Sequence, residues 1–373
     1  MQTFDPAQVP VPAAAIGALP LTTPFVAPEE LARRAGHAEL LRLGANESPF
    51  GPPPRAIEAM RAELDRASWY GDPESMQLRE ALAARHGCAV ENITVAAGID
   101  DLLGLLARAY LAPGDATVAT LGSYPTYVYH VVGFGGRLEG VPYERDGSLP
   151  LEALARRAQA TRARLVYVAN PDNPSGSFAP RAALEELVEA LPAGAALVLD
   201  EAYSDFVPAA ELLPERIDPR VIRLRTFSKA YGLAGARIGY CLAAPAVVQT
   251  FQKIRHHYGV NRTAQIGALA ALGERRFVEG AVAEIVRGRE EYRALGARLG
   301  LGTLPSHTNF VCFDLGSRAR AEAMVAELLR RAVFVRKPGA PPLDGYIRVT
   351  VGAASERVRF GCALADALEA LAP

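Results

Sequence analysis

Lys229 is one of three lysines in a chain that carries its other 37 of 40 basic residues as arginine. Where arginine serves almost every cationic role, a lysine is judged by what arginine cannot do: shed its proton and attack a carbonyl as a free amine. Thr226 and Ser228 precede it, and Arg237 follows within a glycine-rich run. Hydroxyls on one side and a guanidinium on the other suit an anion, a phosphate above all. The bland alternative is a solvated surface lysine. Four more segments carry candidate chemistry. Asp200 and Tyr203 lie in DEAYSDF, where an apolar run ends on a carboxylate. A carboxylate at such a point is costly to bury unless it meets a cation. NPDNPSG (170–176) holds Asn173, although its residues are also those of an ordinary turn. YPTYVY (124–129) is an aromatic cluster, either core or a stacking platform with Tyr127 in it. GIDDLL (98–103) places Gly98, Ile99 and Asp100 where a helix begins, so its free amides suit a phosphate and its carboxylates equally suit the helix dipole.

The elements that must position these residues follow from periodicity. LVYVAN (165–170), ALVLDE (196–201) and VIRLRT (221–226) are short apolar runs, each ending on a polar residue. Amphipathic helices alternate with such runs from about residue 54, which predicts a mostly parallel sheet covered on both faces. Ligands of such sheets bind beyond the carboxyl ends of the strands. Asn170–Gly176, Asp200–Tyr203 and Thr226–Arg237 are therefore expected to converge. Beyond about residue 245 two long helical segments, 247–272 and 275–300, lead into a second unit with strands near 308–315 and 346–352. The expected organisation is an N-terminal arm over 1–40, a large domain over 41–260, and a smaller α+β domain over 261–373.

Bulk properties exclude several classes. With 40 basic and 41 acidic residues and no long block of one sign, neither nucleic acid nor an anionic membrane is an expected partner. No apolar run of about 18 residues is present. The four cysteines are dispersed, which favours a reducing compartment, and a cytoplasmic location is expected. No phosphate-loop lysine motif and no H-E-x-x-H occur. His256 and His257 are adjacent and so face different sides of a helix, and no metal site is expected.

In combination, N-P-x-N-P-[ST]-G, D-E-A-Y and S-K-x-x-x-L-x-G-x-R, in this order, resemble the pyridoxal-phosphate aminotransferases of the aspartate aminotransferase fold type. The likeness spans residues 40–360 or so. LGANESPFGP (43–52), RASWYGDP (66–73), RTFSKAYGLAGARIGY (225–240) and IRVTVG (347–352) look most like segments of the histidinol-phosphate aminotransferases. The resemblance implies transferase fold type I, with pyridoxal 5'-phosphate held as an imine by Lys229, which also serves as the base of the proton shift. It implies that Asp200 pairs with the pyridine nitrogen, that Asn173 and Tyr203 bond the ring hydroxyl oxygen, and that Tyr127 stacks on the ring. The amides of Gly98, Ile99 and Asp100, with Thr226, Ser228 and Arg237, would hold the phosphate. Tyr70 would reach the neighbouring subunit's cofactor, which makes the protein a homodimer. Phe25, Asn46, Asn173, Arg336 and Arg348 would meet the substrate. Phe25 stands where the family commonly has Tyr, G-I-D-D replaces G-x-D-E, and GAASE replaces G-T-x-E-E. The implied reaction moves an amino group between histidinol phosphate and 2-oxoglutarate. An aromatic or broad-specificity aminotransferase is one alternative, and a decarboxylase or lyase on the same fold is another.

Overall fold

The computed structural model describes residues 9–17, 19 and 26–372; Phe25 lies outside the described residues. Two short helices, α1 (Ala14–Gly17) and α2 (Pro28–Ala35), lead to β1 (Leu41–Arg42). Helices α3 (Pro54–Ala62) and α4 (Met76–His86) follow, then β2 (Ile93–Ala96) and α5 (Ile99–Tyr110). The next units are β3 (Ala116–Thr120), α6 (Pro125–Gly133), β4 (Arg137–Val141), α7 (Leu151–Thr161), β5 (Leu165–Ala169), α8 (Arg181–Glu189) and β6 (Ala196–Asp200). Then come β7 (Val221–Thr226), β8 (Gly239–Leu242), α9 (Pro245–Gln252), α10 (Arg262–Leu272) and α11 (Arg275–Arg298). The chain ends in β9 (Phe310–Asp314), α12 (Arg318–Arg330), β10 (Val333–Phe334), β11 (Tyr346–Thr350) and α13 (Ala354–Ala370).

Seven strands form one sheet in the order β2-β8-β7-β6-β5-β3-β4. Only β8 runs against its neighbours. Alternate side chains serve opposite faces, as the pleat dictates. Tyr167 and Val198 pack with Leu102, Leu106, Val131 and Phe251 on one side. Val166, Val168, Leu197 and Leu199 pack with Leu154, Leu184 and Val188 on the other. This is the α/β sheet with two covered faces expected from the periodicity. Strand β8 was not among the expected strands: GYCL is short and follows a glycine-rich loop, so its pattern is faint.

A second, antiparallel pair joins β9 to β11, with Cys312 opposite Arg348 and Phe310 opposite Thr350. Strand β1 joins β10 in parallel, so an N-terminal segment completes a C-terminal layer. The helix expected over 247–272 is two helices. The chain leaves α9 at Lys253, and Asn261 restarts it by accepting from the Ala264 amide at 2.8 Å, an N-cap. Helix α10 packs on α3 and α4, with Gly267 against Met60, whereas α11 packs on β9 and α13.

Candidate active site

The site lies beyond the carboxyl ends of β5, β6 and β7, where the strand-helix alternation predicts it. Asp200 is the last residue of β6 and is buried. Its Oδ2 accepts from the Tyr167 hydroxyl at 2.7 Å and its Oδ1 from the Ala202 amide at 3.0 Å. Burial pushes this carboxyl up to about 6; the Tyr167 and Ala202 bonds pull the other way, and Lys229 helps them. No guanidinium or ammonium bonds to it directly among the described residues. Lys229 is half-buried in the loop after β7 and donates to the carbonyl of Asn46 at 3.2 Å. Its Nζ stands 5.7 Å from the centre of the Tyr203 ring. Burial, then Arg348 and Arg237, push the amine down to about 8, against the pull of Glu47 and Asp100. An amine so placed is far readier to lose its proton near neutrality than an exposed lysine.

Tyr203 accepts from Asn46 Nδ2 at 2.8 Å and meets Phe310 edge-on. Arg348 donates through Nη1 to Asn173 Oδ1 and through Nη2 to the Gly44 carbonyl at 3.1 Å, while its guanidinium lies over Phe310. Its Nε is buried and has no hydrogen-bond partner among the described residues. Arg336 pairs backbone-to-backbone with Arg348 and lies over Phe334. Two guanidiniums thus share one side of the site, and burial followed by Arg348 lowers the Arg336 pKa. Asn173 is held from below by its neighbour Asp172, a buried carboxylate that accepts from Tyr143 OH and from the Ser175 amide and hydroxyl.

The anion cradle forms where α5 begins. Gly98 has φ 88°, and a Cβ there would come within 2.7 Å of Arg237 Nη2. The backbone angle requires glycine, and a Cβ would also displace the Arg237 tip from this turn. Thr226 Oγ1 donates to Ser228 Oγ at 2.9 Å, which sets the two hydroxyls side by side. Arg237 Nη2 lies 3.4 Å from Asp100 Oδ2. The amides of Ile99 and Asp100 open α5, as anion-binding helix ends do.

The aromatic expectation needs correction. Tyr127 is fully buried, its hydroxyl is on Thr117 Oγ1, and its face is stacked on Tyr167 at 4.5 Å. It has no open face for a second ring. Tyr124, three residues earlier, stands at the end of the β3 loop and donates to Asp100 Oδ1 at 2.8 Å. It is Tyr124 that borders the cradle. Pro125 was the available signal: proline favours the first turn of a helix, which leaves Tyr124 as the residue just outside it. Tyr70 is 76% exposed, beside Tyr258 and away from Lys229 in its own chain. Tyr167, Asp172, Asn309 and Thr350 were not singled out by sequence reasoning. They are second partners of site residues, and nothing local in the sequence marks them. No cluster of three metal-binding side chains occurs among the described residues.

A lysine with a lowered pKa, a buried carboxylate without a bonded cation and an anion cradle, all at the strand ends of one sheet, define an enzyme built around a phosphorylated carbonyl cofactor. The chain belongs to the class I and II aminotransferases: that family's model matches residues 38–363. It is a transaminase of fold type I. It is 36% identical to the histidinol-phosphate aminotransferase of Moorella thermoacetica, over 91% of this chain and 88% of that protein. It is 34% identical to histidinol-phosphate aminotransferase 2 of Carboxydothermus hydrogenoformans, over 92% and 95%. The crystal structure of the Sinorhizobium meliloti histidinol-phosphate aminotransferase in complex with pyridoxal-5'-phosphate superposes with a TM-score of 0.92 at 42% identity, covering 96% of this chain and 98% of that one.

Proposed function

We propose that this chain transfers the amino group of histidinol phosphate to 2-oxoglutarate, using pyridoxal 5'-phosphate, as a cytoplasmic homodimer in histidine biosynthesis. The observation that carries this reading is the pair Arg336 and Arg348, two guanidiniums on one side of the half-buried Lys229, suited to a donor with a remote anion and to a dicarboxylate acceptor. The residues present fit the cofactor. Asp200 is a buried carboxylate whose missing cation a protonated pyridine nitrogen would supply. Gly98, Ile99, Asp100, Thr226, Ser228 and Arg237 offer amides, hydroxyls and a guanidinium to a phosphate. When bound, the cofactor supplies an electron sink for the substrate's α-carbon. Lys229 would be the base that takes the proton from that carbon. Tyr203 and Asn173 would bond a ring oxygen, Tyr124 would cover a ring face, and Arg348 would hold the substrate anion. Tyr70 serves the partner's site. We further propose a large unit over 41–260, a small one over 261–373 and an N-terminal arm over 1–40 that serves the small unit and the dimer contacts; α10, which opens the small unit, packs on α3 and α4 of the large one.

A panel of amino donors with 2-oxoglutarate, scored for glutamate, tests the assignment. Histidinol phosphate is expected to turn over fastest. Preferential turnover of phenylalanine or tyrosine would make the protein an aromatic aminotransferase. Carbon dioxide release without need of a 2-oxo acid would make it a lyase.

A further inference from the structure

Asn46 touches both working groups of the site. Its side chain donates to the Tyr203 hydroxyl at 2.8 Å, and its carbonyl accepts from Lys229 Nζ at 3.2 Å. Its backbone is left-handed, with φ 55°. Asparagine tolerates such a backbone better than most non-glycine residues, but its side chain and carbonyl must still be held in place. Two residues hold them here. Thr350 Oγ1 accepts from the Asn46 amide at 3.0 Å and donates to Asn46 Oδ1 at 3.2 Å. Asn309 Nδ2 donates at 3.0 Å to the same Asn46 carbonyl that receives Lys229. Both are almost fully buried, at 2% and 1% exposure.

Their location gives these contacts meaning. Thr350 ends β11, two residues beyond Arg348 and on the same face of that strand. Asn309 immediately precedes β9, and its carbonyl accepts from the Val351 amide at 2.8 Å. The strand pair that carries the substrate's arginine therefore also carries the two residues that hold Asn46. We propose that Thr350 and Asn309 are positioning residues: through Asn46 they set where the Lys229 amine and the Tyr203 hydroxyl stand relative to Arg348. This rests on the roles assigned above to Lys229 and Tyr203. Its consequence is that base and anion clamp share one frame, so a shift of the β9–β11 pair moves both together.

The test uses the full-length protein loaded with pyridoxal phosphate, its visible absorbance titrated with pH. Thr350→Val keeps the side-chain shape and removes both hydrogen bonds to Asn46. With Asn46 no longer fixed by Thr350, its bond to Tyr203 is misplaced, and Tyr203 donates less well to the cofactor's ring oxygen, so charge there is less stabilised. The absorbance midpoint is expected to rise by about half a pH unit or more. The kcat should fall about ten- to hundredfold from lost alignment. KM for the anionic donor should change by less than about threefold, because Arg348 is retained. Thr350→Ser keeps the hydroxyl and should restore the midpoint. Adding Thr350→Val to Asn46→Ala should shift it by less than the sum of the single changes, the mark of action through a shared residue. Asn309→Ala, expected to move the midpoint in the same direction, serves if Thr350→Val does not fold. An unchanged midpoint in both variants, with only a lowered melting temperature, overturns the proposal. A loaded wild-type protein with no visible band fails differently, by removing the cofactor reading and this proposal with it.

Discussion

At the scale of single residues, Lys229 and Asp200 are ionisable groups held away from their ordinary pKa values. Lys229 is pushed down to about 8, and Arg348 is the largest charge responsible. Reductive labelling of Lys229 in cofactor-free protein, followed by mass spectrometry across pH, should show a midpoint near that value. Arg348→Met should raise the midpoint, because a neighbouring positive charge is lost. Asp200 makes the opposite statement about stability. Its folded pKa is raised to about 6, so between the unfolded value and that point the folded state binds more protons than the unfolded one. Its contribution to stability therefore declines as pH rises from about 4 to 6. Cofactor-free Asp200→Asn should escape that decline and be more stable than wild type at pH 7, by up to about 3 kcal/mol. Comparing urea denaturation of the two proteins at pH 4 and pH 7 checks the sign. Much of this chemistry was legible in residue types: only a lysine among arginines, a carboxylate ending a strand and paired hydroxyls carry it. Tyr127 was misread because two tyrosines three apart look alike in composition, and only the start of α6 decides which one faces outward.

Among the elements, the ends of β6 and β7 must be held in register for Asp200 and Lys229 to meet. Glu201, one residue past β6 and fully enclosed, does this. Arg223 of β7 binds it with two bonds, at 2.9 and 2.7 Å, and Arg225 adds a third at 2.9 Å. The two guanidiniums hold the Glu201 carboxyl below its ordinary range despite its burial. Glu201→Ala leaves two buried cations without their anion and should cost about 3–5 kcal/mol of stability, measurable by chemical denaturation. The start of α6 yields a second test. Tyr124→Ala should weaken cofactor binding about tenfold, since a stacked ring pair contributes about 0.5–1.5 kcal/mol. Tyr127→Phe should leave cofactor affinity unchanged. Equilibrium dialysis of the cofactor separates the two. The parallel strands and their helices were readable because burial on both faces leaves continuous apolar runs. Strand β8 and the gap between α9 and α10 were not. The first is four residues long, and the second is decided by the cap at Asn261, not by any interruption of the apolar pattern.

For the whole molecule, Leu64, Trp69, Tyr70 and Tyr258 remain strongly exposed along residues 64–70 and beside α10. Large apolar side chains gathered this way suit a surface for another chain, and the homodimer proposed above would cover them. The homodimer proposed above places Tyr70 at its partner's cofactor. Trp69→Asp should shift the protein to monomer in sedimentation velocity and lower activity in parallel. Assembly of this kind is poorly legible in one sequence, because an interface tryptophan looks like a core tryptophan until the fold shows which way it faces. Strand β2 carries a further consequence, for the protein's birth on the ribosome. Among the described residues its one neighbour in the sheet is β8, antiparallel from Ile93–Leu242 to Ala96–Gly239. When Ala96 leaves the exit tunnel, Leu242 has yet to be translated, and at about 5–20 residues per second the wait is roughly 7–30 s. For that interval the nascent chain carries a buried-type strand with no hydrogen-bonding neighbour, and the Gly98 turn beside it lacks Arg237. Cofactor capture is thus a late event in synthesis, and the early chain is the stage most in need of a chaperone.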